Sequence, residues 1–167
     1  SNDFVAAVPI LKAKDRIMSP FYYNAKKGPF WQNSKLEISD RLMCITAFNS
    51  GTILNVDYMN LIGGFSNEFP LDYLDFWYFK KIFDSNNKVF IMNCEMNHSL
   101  SLNNFSSEMS IQRYYNFLIA ERQFIKLFSK KVFILYKLRL IMRFAKHLLV
   151  LKSPKHSLLT LRSVFEL

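Results

Sequence analysis

Two aspartates in the middle of the chain have the type and spacing that acid–base or metal chemistry requires. Asp72 and Asp75 stand three residues apart, so they would share a face if both lay on one helical turn. A carboxylate beside a pocket can take a proton from a hydroxyl group or help to bind a metal ion. The alternative is structural: one aspartate is a helix N-cap and the other a solvated charge of the first turn.

His98 is the third candidate, because it follows residues 89–92, an apolar segment typical of a buried strand. Asn49, Ser50 and Gly51 likewise follow an apolar segment, residues 42–48. Active sites of open α/β sheets lie at the carboxyl ends of strands, so this placement favours a site where both segments end. A lone histidine is nevertheless more often structural than a metal ligand.

The elements that must position these residues alternate between strands and helices, which predicts an α/β fold. Strands are predicted over residues 4–10, 42–48, 52–55 and 89–92. A short helix capped by Asp57 is predicted over 58–61, ending at Gly63 and Gly64, and a longer helix within 71–84. Residues 11–41 are predicted to form a long loop with at most one short strand or helical turn.

The last third of the chain has helical spacing of its apolar residues. Helices are predicted over 108–128, 130–151 and 156–165. His147 and His156 are interpreted as surface residues among basic helices. The two cysteines, Cys44 and Cys94, lie in apolar surroundings and are interpreted as buried reduced thiols, with a disulfide between them as the alternative.

Charge is unevenly distributed along the chain. Of a net charge of +9, residues 113–167 supply 12 Lys/Arg against 2 Asp/Glu, while the remainder is close to neutral. This asymmetry predicts an anionic partner for the last third, either a membrane surface or nucleic acid. Nucleic acid is disfavoured, because the aliphatic content is high for a stacking groove.

The second of these helices has the pattern of an amphipathic helix on a membrane surface. A basic stripe is predicted on one side, opposed by an apolar stripe; they comprise Arg139, Arg143 and Lys146, and Ile134, Leu138, Ile141 and Leu148. A charge occurs every few residues, at a cost of about 2.5–3.5 kcal/mol each at a bilayer centre, so a membrane span is not expected.

Four motifs occur in order along the chain: Asn-Ser-Gly-Thr-Ile-Leu at 49–54, Ile-Gly-Gly-Phe at 62–65, Leu-Asp-Tyr-Leu-Asp-Phe-Trp at 71–77, and Asn-His at 97–98. In these motifs and their order the chain resembles the second half of family 2 glycosyltransferases, most of all the rhamnosyltransferase-like branch, over roughly residues 4–125. Arg113-Tyr114-Tyr115 is also similar to the start of that branch's C-terminal helices.

The resemblance implies an inverting sugar transfer on a GT-A (Rossmann-like) fold, with a nucleotide-sugar donor and a divalent metal, Mg²⁺ or Mn²⁺. Asp75 falls on the catalytic base and His98 on the metal-binding histidine. Positions that contact substrate fall on Asn49, Ser50, Gly51, Asp72 and Trp77. Trp77 replaces an acidic residue of the family's pattern, which leaves some acceptor contacts in question.

The resemblance also divides the chain into two regions. Residues 1–106 correspond to the acceptor-side part of a GT-A catalytic domain, and 107–167 to a basic, apolar helical region. The family's nucleotide-binding half, with its DxD metal motif, is not found before residue 42. The chain is therefore expected to be a C-terminal portion that is inactive alone and that need not bind the metal.

The first hypothesis is a glycosyltransferase that builds a cell-surface polysaccharide on a glycan or lipid-linked acceptor. It would lie at the cytoplasmic face of the cell membrane, held peripherally by residues 113–165. The alternative is a non-enzymatic peripheral membrane or interaction module, in which Asp72 and Asp75 only cap a helix. A nucleic-acid binder is the third and least favoured interpretation.

Overall fold

The computed structural model describes residues 4–13, 16–22, 42–43, 45–97 and 109–166. The chain divides into two compact units, one within residues 1–99 and the other within 100–167. The first is mixed α/β and the second is helical, so the predicted α/β class holds at this coarse level.

The first unit is built on a mixed five-stranded sheet. Its strands are β1 (Ala6–Ala13), β2 (Arg16–Ser19), β4 (Leu42–Met43), β6 (Ile53–Leu54) and β7 (Val89–Asn97). Their order is β2-β1-β7-β4, and β6 also pairs with β1. The central pair, β1 and β7, is parallel; the other pairs are antiparallel. A separate antiparallel pair consists of β3 (Phe21–Tyr22) and β5 (Ile45–Thr46).

The first predicted strand is present but continues past Pro9 to Ala13. Proline lacks an N–H donor and is tolerated in strands at bulges or edges. The β1–β7 register shifts between Val8 and Ile10, so Pro9 lies at such an irregularity. Val8 and Leu11 are fully buried on either side of it.

Two predictions for the early chain are wrong in detail. Within the predicted loop 11–41, residues 11–22 contribute the end of β1 together with β2 and β3, and residues 23–41 lie outside the described part. Arg16 and Ile17 are exposed on β2, which pairs only with β1 among the described strands. Charged side chains are common on such edges.

The predicted strand 42–48 is divided between β4 and β5, which belong to different sheets.

Helices α1 (Val56–Leu61) and α2 (Leu74–Asp84) connect β6 to β7. Asn55, not Asp57, is the N-cap of α1: its Oδ1 accepts a hydrogen bond from the Tyr58 N–H at 2.9 Å. Asp57 lies in the first turn instead. Helix α2 buries one face, consisting of Trp77, Tyr78, Phe79 and Ile82.

The second unit consists of α3 (Ile111–Lys126), α4 (Lys130–Leu149) and α5 (Pro154–Phe165). Ser110 caps α3, since its Oγ accepts a hydrogen bond from the Arg113 N–H at 3.2 Å. None of the described helices is both long and apolar enough to cross a membrane.

The core of the second unit contains an ion pair between α3 and α4. Glu121 is only 1% exposed, and the Arg143 guanidinium donates two hydrogen bonds to its carboxylate at 2.6 and 2.7 Å. The Tyr136 hydroxyl donates a third at 3.2 Å. Arg143 is thus committed to the core and is not part of an exposed basic stripe.

The prediction of surface histidines is wrong. His147 and His156 are 4% and 7% exposed. Each bonds inside the unit: the His156 Nε2 lies 3.2 Å from the Met109 carbonyl oxygen, and the His147 Nδ1 lies 3.4 Å from the Thr160 hydroxyl. Cys94, predicted to be buried, is an exposed free thiol on β7, whereas Cys44 lies outside the described residues.

Candidate functional site

Asp75 lies in the first turn of α2, after a backbone turn that places it inward. Tyr73, the residue before the helix, has a left-handed backbone with φ 67° and makes no side-chain cap. The Phe76 N–H donates a hydrogen bond to Asp75 Oδ1 at 2.8 Å. The carboxylate therefore takes the place of a cap at a helix end, where the dipole favours negative charge.

A tight turn brings the second predicted motif to the same carboxylate. The Thr52 N–H donates to the Asn49 carbonyl oxygen at 3.0 Å, which closes a turn over Ser50 and Gly51. Gly51 has φ +69° at the third position, where a type II turn requires glycine. The backbone N–H of Asn49 lies near enough to the Asp75 carboxylate to lower its pKa, so the two motifs meet.

Gly51 also fixes how closely this turn approaches the sheet. A Cβ at Gly51 would lie 2.7 Å from Met96 Sδ on β7 and 3.1 Å from Pro9 Cγ on β1. A real side chain would not fit without movement of these neighbours. Glycine therefore serves two needs here: the positive φ and the close approach.

The electrostatics of Asp75 are unusual for an aspartate. Burial raises its pKa to about 6, because removing water disfavours the charged form. The hydrogen bond from the Phe76 N–H and the nearby N–H of Asn49 act in the opposite direction, and the negative charge of Asp72 raises the pKa further. The group is thus ionised at neutral pH yet close to its titration range.

Aromatic rings cluster around Phe76, the residue that follows Asp75 in the chain. The ring of Phe76 lies 6.0 Å from that of Phe21, 6.1 Å from Phe48 and 5.4 Å from Tyr73, measured between centroids. The buried Ser19 hydroxyl fixes this arrangement by accepting a hydrogen bond from the Phe48 N–H at 2.9 Å.

The sequence did not identify Phe21, Phe48 or Ser19 as parts of the site. A weak signal existed for Phe48, which directly precedes Asn49 in the chain. Phe21 and Ser19 fell in the segment predicted as a loop, and nothing in their local pattern connects them to Asp75.

The remaining predicted residues are placed as follows. Asp72 lies before α2 rather than on it, half-buried and close enough to Asp75 to raise its pKa. Ser50 is half-buried in the turn. Trp77 is 8% exposed, with the Lys81 ammonium 5.7 Å from its ring centroid, so it offers little surface to a substrate.

The predicted metal centre had one proposed ligand, His98. It lies outside the described residues, so its role as a ligand stays a prediction. Within the ranges that the structure describes, no three His, Cys, Asp or Glu side chains are grouped to hold a metal ion. Asp72 and Asp75 alone do not make a metal site.

In comparisons with known proteins, no family model matches this chain, and no curated protein or solved structure matches it significantly.

Proposed function

We propose that this chain forms the acceptor side of an inverting glycosyltransferase, with Asp75 as the base. The observation that carries the proposal is the Asp75 carboxylate, which is desolvated by burial, bonded to the Phe76 N–H and close to the Asn49 N–H. The order of the motifs at residues 49–54, 62–65, 71–77 and 97–98 supports the same assignment.

The acid–base properties of Asp75 suit this role. A general base works best when its pKa is near the pH of the reaction, since it is then ionised and still basic. With a pKa of about 6, Asp75 is mostly ionised at neutral pH and more basic than an exposed aspartate. The hydrogen bond from the Phe76 N–H orients the carboxylate.

In the proposed step, an acceptor hydroxyl oxygen attacks the anomeric carbon of a nucleotide sugar. The hydroxyl proton passes to the Asp75 carboxylate as the new glycosidic C–O bond forms. The bond from the anomeric carbon to the diphosphate oxygen breaks, and its electron pair leaves with the nucleoside diphosphate. The configuration at the anomeric carbon inverts because attack and departure occur on opposite faces.

Asn49, Ser50, Gly51 and Asp72 are the proposed substrate contacts around this base; Trp77 is the weakest of the set because it is buried. His98 is the proposed ligand of the divalent metal that would neutralise the leaving diphosphate. The proposed acceptor is a glycan or a lipid-linked sugar at the cytoplasmic face of the cell membrane.

The proposal is tested with Asp75→Asn in the natural polypeptide that contains this sequence. Release of nucleoside diphosphate is measured over a panel of nucleotide sugars, with glycan and lipid-linked acceptors and with Mg²⁺ or Mn²⁺. We expect the variant to lose ~10²–10⁴-fold in turnover, because the base is removed. The control is Asp84→Asn, the same substitution at the exposed end of the same helix.

Near-normal turnover of Asp75→Asn would remove Asp75 as the base. If no nucleotide sugar is consumed under any of these conditions, the second candidate is favoured: a non-enzymatic module that binds a membrane surface. That candidate has its own support in the second unit, where large apolar side chains of α4 are exposed.

A further inference from the structure

Helix α4 has an inner face that belongs to the core of the second unit. Val132, Tyr136, Leu140 and His147 are buried at spacings of four and seven residues, which places them on one side of the helix. Arg143 lies on the same side and binds Glu121. The orientation of α4 in its unit is thus fixed by these residues.

The opposite side of α4 is also apolar, which is unusual for a solvent-facing helix. Six side chains that are 45% to 73% exposed recur with helical spacing and form what we term the outer face: Ile134, Leu138, Ile141, Met142, Leu148 and Leu149. An ordinary surface helix carries polar residues on this side. A contiguous apolar face of this kind indicates a partner.

Basic side chains border the outer face along both edges. By helical geometry, Lys137 lies on one edge, and Arg139 and Lys146 on the other, each about a quarter turn or more from its centre. The Lys137 ammonium lies 5.5 Å from the Phe133 ring centroid. Lys130 and Lys131 are exposed at the start of the helix.

We propose that the outer face of α4 lies on an anionic lipid bilayer, parallel to its surface. Apolar side chains would enter the boundary between headgroups and acyl chains, while the bordering Lys and Arg side chains contact lipid phosphates. This assigns membrane contact to a defined face and leaves Arg143 out of it. The proposal does not depend on the chemistry of Asp75.

Charge decides between lipid and other occupants. A second copy of this chain would bring together two units that each carry 12 Lys/Arg and 2 Asp/Glu in residues 113–167, so repulsion opposes that pairing. Nucleic acid supplies negative charge but requires stacking rings, and all six outer-face residues are aliphatic or Met. An anionic bilayer satisfies both the charge and the apolar surface.

The first test compares binding of the full chain to vesicles of phosphatidylcholine with phosphatidylglycerol and to vesicles of phosphatidylcholine alone. We expect binding to the anionic vesicles that weakens with added salt. The variant Ile134→Asn, Leu138→Asn, Ile141→Asn should partition at least ~10-fold less, since it removes inserted apolar surface.

The matched control is Ile53→Asn, Val56→Asn, Leu61→Asn in the first unit, where the three side chains are 63%, 69% and 80% exposed. It removes a similar exposed apolar surface and should leave vesicle binding unchanged. Equal loss in both variants, or no loss in the α4 variant, would contradict the proposal. Circular dichroism of each variant shows that the helices remain folded.

The second test places a reporter on the outer face with Leu138→Trp. The unmodified chain, which has two Trp, supplies the background. On binding anionic vesicles, the added fluorescence should shift to the blue and be quenched by brominated acyl chains. Unquenched emission from bound protein would overturn the proposal, as would a blue shift without lipid that rises with protein concentration, which would show a contact between copies.

Discussion

The Asp75 carboxylate accepts a hydrogen bond from the Phe76 N–H and lies near the Asn49 N–H, yet burial raises its pKa to about 6. The two effects have different origins: the backbone positions the N–H groups, and burial in the fold removes water from the carboxylate. A carboxylate kept ionised in dry surroundings is a reactive base, and it also lowers the stability of the fold that holds it.

This loss of stability predicts how the free energy of unfolding depends on pH. The pKa of Asp75 rises from 3.8 to about 6 on folding, so between these values the folded chain retains a proton that the unfolded chain has lost. Its contribution to the free energy of unfolding is therefore favourable at low pH. That contribution falls as the pH rises through this window, by ~3 kcal/mol in total.

Asp75→Asn should abolish that dependence. In urea denaturation, the stability of Asp75→Asn relative to the wild type is expected to increase as the pH rises from about 4 to about 7, and then to level off. Asp84→Asn again controls for the loss of an aspartate on this helix. A stability difference that is constant with pH would show that burial does not perturb Asp75.

At the scale of elements, the turn over residues 49–52 depends on Gly51 for two separate reasons, the backbone conformation and the close contact. A comparison with Gly63 distinguishes their contributions to stability. Gly51 and Gly63 both have positive φ, +69° and +82°, but only at Gly51 would a Cβ meet other atoms. Each substitution by Ala should cost ~1 kcal/mol for the backbone conformation. Gly51→Ala should cost ~1 kcal/mol more, because the exposed, flexible Met96 side chain must leave its preferred rotamer to relieve the close contact.

Thermal unfolding of Gly51→Ala and Gly63→Ala, each compared with the wild type, measures these contributions. The double variant Gly51→Ala, Met96→Ala is compared with Met96→Ala alone. Shortening Met96 removes the nearest obstructing atom, so the excess cost at Gly51 should shrink in that background. If the excess persists, the contact with Met96 is not its cause.

The elements also show what a sequence can and cannot predict. Apolar spacing and capping residues were sufficient to predict the helices α2, α3, α4 and α5, because these patterns are local in the sequence. The antiparallel pair of β1 and β2 was not predicted from the sequence. The charged residues of β2 lie on an edge strand of the sheet, where polar side chains do not exclude a strand. The division of residues 42–48 between two sheets depends on distant partners, β7 and β3, which no local pattern reveals.

The same distinction applies to the candidate site. Asp75 and the turn at Asn49 were predicted from residue type and order. The ring cluster on Phe76 was not, since Phe21 is 54 residues from Asp75 in the chain and lies near Phe76 only in the folded unit, where β3 pairs with β5. The pKa of Asp75 is thus a property of the fold, and the sequence showed only the carboxylate.

At the scale of the whole molecule, the two units contain buried titratable groups with opposite effects. His147 is 4% exposed, and burial, with the charge of Arg143, lowers its pKa to about 4. The groups that face it are Arg143 and Lys146 on its own helix, His156 on α5 and Tyr114 on α3. The positive charges of Arg143 and Lys146 disfavour a charge on His147, and the hydrogen bond with the His156 backbone, which raises the pKa, does not offset them and the burial.

The sign of the His147 effect is opposite to that of Asp75. Between about 4 and 6.5 the unfolded chain binds a proton that folded His147 does not, so the contribution of His147 to stability rises with pH in this window. Acidification from about pH 7 to about pH 5 should cost the second unit ~2 kcal/mol through His147, and should stabilise the first by ~1 kcal/mol through Asp75.

Hydrogen exchange followed by mass spectrometry measures the protection of the amides of each unit separately, once the intrinsic dependence of exchange on pH is corrected. Amides of α4 should lose protection on acidification in the wild type but much less in His147→Asn, whose side-chain amide can still bond the Thr160 hydroxyl. Amides of β1 and β7 should respond to Asp75→Asn and not to His147→Asn. A His147→Asn variant whose α4 amides follow the wild-type pH dependence would show that another group governs the acid sensitivity of this unit.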